Sequence, residues 1–291
     1  MTEILFALAD HLSRMAEKSR SQVAVQAGQA ASISGIHWRP GLVVTAEERL
    51  ERDEEIFVTD PAGHRIAATL VGRDPSTDIA LLRLAGAPDP ALAVAERAEA
   101  GLPRAGTPIL ALGWQDGPIA AFGIVGFVGG AWRSIRGGII DSLVRLDLSL
   151  DPAAEGGALV DLQGKVLGMT VYGPRRRTLV IPAATIDRVV DRLLEKGHVA
   201  RGYLGAGLQS VRLGAGAGLL VVSLDPAGPA ARAGLLIGDI LLIWNGRPVS
   251  RVGDIMSALG PDSVATAIEL DLMRGGARLP LKLTIGERVP D

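Results

Sequence analysis

Four histidines and a run of three arginines are the side chains of this sequence most readily asked to do chemistry. Histidine is the ordinary proton shuttle near neutral pH, but His11, His37, His64 and His198 are dispersed along the chain. His11 falls in the leading segment, His37 before a turn at Gly41, His64 in a hairpin and His198 after a late helix, so each is expected to be a surface or structural side chain. Arg175, Arg176 and Arg177 either attract an acidic partner or nucleic acid, or form a solvated loop. The chain has no cysteine, which excludes thiol nucleophiles, thiolate zinc sites and disulfides and suits oxidising and reducing compartments equally. With 30 basic against 32 acidic side chains the net charge is -2, so no nucleic-acid footprint is expected.

These groups must be held by many short elements. The 291 residues include 37 Gly and 17 Pro but only 4 Phe, 4 Trp and 2 Tyr, a composition that turns often and fills its interior with aliphatic side chains. The first residues carry Ile4, Leu5, Leu8, Leu12 and Met15 at helical spacing, with Glu3 and Asp10 where a secretory signal wants positive charge and an unbroken apolar run. An amphipathic helix over residues 1–20 is expected, with a cytoplasmic location, or a periplasmic one if a leader has been removed. From about Gln22 to Ile181, ten short apolar segments separated by Gly, Pro and Asp predict an all-β sandwich or barrel. Residues 184–200 then change period: Ile186, Val189, Val190, Leu193 and Leu194 mark an amphipathic connector helix stopped by Gly197.

A second unit is expected over residues 201–288. It contains the apolar strand GLLVVSL, a helix start at Pro229, the strand DILLIW, an Asn245-Gly246 turn and a helix from Val252 to Leu259 capped by Ser250. A closing hairpin alternates Ile268, Leu270 and Leu272 with charged residues and turns at Gly275-Gly276. No run reaches the roughly 18 apolar residues of a membrane span.

The order of these segments, and the stretches VGRDPSTDIALLRL (71–84), DPAAEGGALVDLQGKVLGMTV (151–171) and LDPAGPAARAGLLIGDILLIWNGRPV (224–249), resemble the Deg or high-temperature-requirement family of serine proteases. The resemblance implies a mainly β fold: a trypsin-like double β-barrel over residues 21–183, then a small α/β PDZ domain. In that family a serine attacks the peptide carbonyl, a histidine takes its proton and an aspartate orients the histidine. The family's aspartate is matched by Asp78, but Glu48 stands at the histidine position and Glu155 at the nucleophile position. The oxyanion loop is altered too, reading Ala153, Ala154, Glu155, Gly156, Gly157. A carboxylate cannot serve as an alkoxide, and Glu48 lacks imidazole's neutral-pH proton transfer. The degenerate triad therefore leads to the expectation of a pseudoprotease, not an enzyme, acting as adaptor, scaffold or chaperone-like protein.

Convergence of Glu48, Asp78 and Glu155 in one cleft would be repulsive. A hard cation bound by the three would relieve it. So would one carboxyl turning to solvent, another holding its proton, or neutralisation by Arg49 or Arg73. A polypeptide hydrolase using these carboxylates, with or without a metal, is the alternative function; no cofactor is implied. For the PDZ domain the resemblance implies capture of a polypeptide C-terminus by the loop Tyr203, Leu204, Gly205, Ala206. Val252, Ile255, Met256 and Leu259 form the apolar stripe of the facing helix, dividing between groove and core. The family also implies a homo-oligomer, a trimer. Neither a nucleic acid nor a membrane is an expected partner.

Overall fold

The computed structural model describes residues 2–86, 92–99, 101, 103–134, 136–214, 216–260 and 263–288. It divides into two compact units, Met1–Val199 and Ala200–Asp291.

The first unit opens with helix α1 (Thr2–Glu17), followed by β1 (Gln22–Ala27), β2 (Ile33–Arg39), β3 (Leu42–Thr45), β4 (Ile56–Thr59), β5 (Arg65–Asp74) and β6 (Ile79–Leu84). These strands close into an antiparallel barrel in the order β1-β2-β3-β6-β5-β4. A second barrel is made by β7 (Pro108–Trp114), β8 (Pro118–Val128), β11 (Val144–Asp147), β12 (Ala158–Val160), β13 (Val166–Tyr172) and β14 (Thr178–Pro182), in the order β11-β14-β13-β12-β7-β8. Between β8 and β11 lies a short ribbon of β9 (Trp132–Arg133) and β10 (Ile139–Ile140). Closure removes the exposed edges that would otherwise recruit other strands.

Strand alternation explains the cores. One set of inward residues, including Val23, Val25, Val43, Val58 and Leu82, fills the first barrel, while Ile109, Val125, Val144, Leu159 and Val180 fill the second. The opposite faces meet in a shared core containing Ile36, Trp38, Leu81, Leu110, Met169 and Ile181. Helix α2 (Ala183–Lys196) seals that core with Ile186, Val189, Val190 and Leu193, and ends at Gly197 in the left-handed conformation (φ 74°). Of the four histidines only His37 is buried, its Nε2 accepting from Gly41 N–H and its Nδ1 facing Ala93 O at 3.1 Å. Burial lowers its pKa.

The second unit is a separate α/β module. It contains β15 (Gly202–Tyr203), β16 (Ala206–Leu213), β17 (Gly216–Leu224), α3 (Pro229–Arg232), β18 (Ile240–Trp244), β19 (Arg247–Pro248), α4 (Val252–Ala258), β20 (Ala267–Arg274), β21 (Ala277–Thr284) and β22 (Gly286–Glu287). Its main sheet runs β16-β17-β18-β20-β21, with β19 on β18. The core gathers Leu219, Val221, Leu241, Trp244, Leu270 and Leu272. The cap of α4 is Arg251, not Ser250: the Asp254 carboxylate reaches back to accept the N–H groups of both, each at 2.9 Å. An acidic side chain in the first turn satisfies the orphan donors better than a hydroxyl one residue too early.

Candidate active cleft and peptide groove

A cleft of about 740 Å³ opens in the first unit and is lined by Glu48, Asp78 and Glu155 together. Glu155 is brought there by a tight turn: Pro152–Ala154 forms a single 3-10 turn capped by Asp151. Gly156 follows with φ +85°, and a Cβ there would lie 2.4 Å from Ser34 O. Only glycine satisfies both demands. The Ser34 N–H in turn donates to Glu155 O at 3.1 Å, pinning the turn to the first barrel. Asp78, at φ 59°, precedes β6, and its Oδ1 accepts the Glu48 N–H at 2.8 Å.

The carboxylates meet three different fates. Glu48 is exposed at the rim. Asp78 is pushed up to about 7, chiefly by burial and further by the charges of Glu155, Glu48 and Glu47, against the Glu48 N–H bond that favours ionisation. Glu155 is buried; its Oε1 accepts the Tyr172 N–H at 2.9 Å and its Oε2 lies 3.5 Å from Arg49 Nε. Burial raises its pKa, with Tyr172 and Arg49 opposing. Arg73 does not serve this site, pairing instead with Glu47 and Asp53. Among the described residues no group of three metal-ligating side chains is placed to hold a cation, because Glu155 is already committed to a guanidinium and a backbone donor.

The loop over residues 153–157 is hydrogen-bonded from within. Ala153 N–H donates to Asp151 Oδ1 (2.8 Å), Ala154 N–H to Asp151 O (2.9 Å), and Glu155 N–H to Pro152 O (3.4 Å). Gly156 and Gly157 donate to Thr170 O (2.9 Å) and Ala154 O (3.0 Å). Each of these five N–H groups has an acceptor within the protein.

Sequence reasoning found the three carboxylates and Arg49, singled out Arg176 without placing it here, and missed Tyr172, Trp132, Ser134 and Arg136, which line the same cleft. Tyr172 acts through its backbone N–H, which carries no side-chain signature. Among the described residues no histidine lines the cleft.

In the second unit β16 pairs with β17 and, among the described residues, with no other strand, and α4 lies alongside it. Gly205, at φ +74°, bends the chain into β16; a Cβ there would approach Gly228 Cα to 2.9 Å. The loop is tied by Asp225 N–H donating to Gly205 O (2.9 Å) and Tyr203 Oη donating to Asp225 Oδ2 (2.9 Å). Of the helix stripe, Ile255 and Leu259 pack in the core, and Leu204 is buried with them. Helical periodicity forces the division: Val252 and Met256, four residues apart, remain on an exposed face.

The trypsin-like peptidase family model matches residues 33–169 and the PDZ family model residues 202–285. The two matched stretches are thus similar to a trypsin-like peptidase domain followed by a PDZ domain. The relatives are named DegP-like and HtrA-type proteases. A relative from Ectopseudomonas mendocina, named "Probable periplasmic serine endoprotease DegP-like", is 29% identical over 263 residues, covering 84% of this chain and 54% of that protein. The chain thus spans about half the length of the curated relatives it matches. The serine endoprotease from Yersinia pestis superposes with a TM-score of 0.75 at 28% identity, covering 96% of this chain and 98% of that one. The HtrA-type protease AlgW with a tripeptide gives a TM-score of 0.70 at 25% identity, with 98% of each chain covered. These findings correct the expectation that the peptidase–PDZ chain is not an enzyme: the homologues are named serine endoproteases, and the matched barrel family is a peptidase family. Among the described residues no helix is long and apolar enough to cross a membrane.

Proposed function

We propose that this peptidase–PDZ chain handles polypeptides at two places, capturing a carboxyl terminus at the groove of its second unit and holding an extended segment in the cleft of its double barrel. The observation that carries the reading is the open edge of β16 beside α4, entered through the left-handed turn at Gly205. An open edge offers alternating N–H and C=O groups to an added strand, and a helix beside it supplies side-chain contacts. The solved AlgW structure carries a tripeptide, and the names of the curated relatives favour a periplasmic location.

The test is fluorescence anisotropy with a labelled decapeptide ending in a free apolar residue, against the same peptide amidated at its C-terminus. Capture at the groove requires the free carboxylate form to bind at least about tenfold tighter, the scale of a charge-assisted hydrogen bond. Equal affinity would show that no terminal carboxylate is recognised.

A second reading, hydrolysis of the held segment, is favoured by one observation. Asp78 is held at about 7 in the cleft, where a general acid–base works best. This reading requires casein cleavage by the purified chain, with a pH limb near 7 and loss of turnover in Asp78→Asn. Cleavage unchanged by Asp78→Asn, or no cleavage at any pH between 5 and 9, removes the hydrolytic reading and leaves capture standing.

A further inference from the structure

The arginine run is an exposed loop that reaches the cleft through Arg176. Arg175–Arg177 lies between β13 and β14, separated from Tyr172 by Gly173 and Pro174, and Arg176 lines the cleft. Arg175 and Arg176 both hold left-handed backbone conformations, at φ 59° and 55°. Consecutive non-glycine residues adopt that region only where their surroundings impose it, and such strain gathers at functional positions. Three features impose it here. Pro174 restricts the entry to the turn, Gly173 N–H donates to Arg177 O at 2.8 Å, and the Arg176 guanidinium stacks over the Tyr172 ring with its carbon 4.9 Å from the centroid.

Other cations join it. Arg136, from the segment joining β9 to β10, and Arg49 line the same cleft. The position of Arg136 is set by Glu47 Oε2 (3.3 Å) and Pro75 O (3.4 Å), and its wall is tied to the first barrel by Ser134 Oγ donating to Ser76 O at 2.5 Å. Against these stand the cleft's own anions, largely spent: Glu155 is held by Arg49 and Tyr172 N–H, Asp78 accepts the Glu48 N–H and is only partly ionised at neutral pH, and Glu48 is at the rim. Between the charged groups the wall is apolar, with Trp132, Ile140, Leu179 and Ile181.

We propose that the cleft selects polypeptide segments in which an acidic side chain neighbours an apolar one, the acidic group being received at the mouth by the Arg175–Arg177 turn and Arg136, and the apolar group by the Trp132 and Ile140 wall. The proposal rests on the reading of the cleft as a polypeptide-holding site. Arginine suits this task because its planar fork meets a carboxylate through two parallel hydrogen bonds.

The test uses the full chain and two rhodamine-labelled decapeptides, acetylated and amidated so that terminal-carboxylate capture contributes nothing. One alternates Leu and Val with Glu and Asp; its mate has Lys at every acidic position. The acidic peptide should bind at least about tenfold tighter in 0.1 M salt and lose most of that advantage at 1 M, where the Debye length falls to about 3 Å. Joint replacement of Arg175, Arg176 and Arg177 by Ala should remove the preference while leaving capture of a free-carboxylate apolar peptide unchanged. Arg176→Glu should shift the preference toward the lysine peptide, a gain that misfolding cannot produce. Equal binding of the two peptides, or a preference that survives the triple replacement, overturns the acidic selectivity alone. Binding of neither amidated peptide overturns the cleft reading itself, while the free-carboxylate peptide still reports the groove independently. Competition by oligo-dT at lower concentration than the acidic peptide would also overturn the proposal, showing a nucleic-acid site in its place.

Discussion

The cleft of the double barrel and the groove of the PDZ unit treat their backbone donors in opposite ways. In the cleft, each N–H from Ala153 to Gly157 is bonded within the protein, and even the Tyr172 N–H is taken by the Glu155 side chain. In the groove, β16 stands at the edge of its sheet. A buried donor left unpaired is costly, and in the turn around Glu155 each one is absorbed locally. A strand edge beside solvent carries no such demand. On the proposed reading, the cleft would discriminate through side-chain charge and shape, while the groove would recognise main chain.

The largest effect that sharpens this contrast lies in the second unit. Ile255, 2% exposed, and Leu259 anchor α4 to the core. Ile255→Ala should cost about 2–5 kcal/mol through lost burial and the cavity left behind, read as lowered hydrogen-exchange protection of the second unit's strands, with those of the two barrels unchanged. Loss of protection in both units would break the picture of two independently packed modules.

The next effect belongs to the cleft and depends on pH. Asp78 has an ordinary value of 3.8 and is held at about 7 in the folded chain. Between those values the native state binds the proton that the unfolded chain has released. The stabilisation is complete below about pH 4 and is lost as pH rises through 7, by on the order of a few kcal/mol. Asp78→Asn keeps an oxygen for the Glu48 N–H and cannot titrate, so its urea midpoint should fall less than that of the parent between pH 4.5 and 7.5. Parallel curves would show that Asp78 is solvated. Smaller still is Glu155→Ala, which strands the Tyr172 N–H at a cost of about 1–3 kcal/mol. Glu155→Gln retains that acceptor and loses only the attraction to half-exposed Arg49, worth less than ~1 kcal/mol. Equal losses in the two variants would assign the hold on Glu155 to Arg49 alone.

The ten apolar segments of the sequence became ten of the twelve barrel strands, because each combines β-branched residues with a turn at either end. The other two were hidden for identifiable reasons. In β2, Gly35, His37 and Arg39 interrupt the apolar residues although the strand is almost wholly buried, and β12 is only Ala158–Val160, directly after a Gly-Gly pair. β16 escaped for a related reason: an edge strand with Gln209, Ser210 and Arg212 facing out shows no continuous run. The family resemblance implied that Glu48, Asp78 and Glu155, more than a hundred residues apart at the extremes, share one cleft, and they line it together. What spacing could not show is the direction of backbone donors. The inward-turned N–H groups after Asp151 and the left-handed arginine turn are conformational facts without a residue-type signature.

Met256 offers the finest division between holding the fold and holding a ligand, because it adjoins Ile255 on one helix and points elsewhere. It is 37% exposed and Val252, one turn earlier, 38%. Met256→Ala should change stability by no more than ~0.5 kcal/mol, as surface truncations usually do. Its effect should appear in binding: loss of a methionine's apolar contact weakens capture of the free-carboxylate peptide by several-fold, at roughly 25 cal/mol per Å² of buried surface. The amidated acidic peptide bound in the barrel cleft should be indifferent to the change. A Met256→Ala chain that melts early and binds normally would place this side chain in the core with Ile255, and would move the groove wall to Val252.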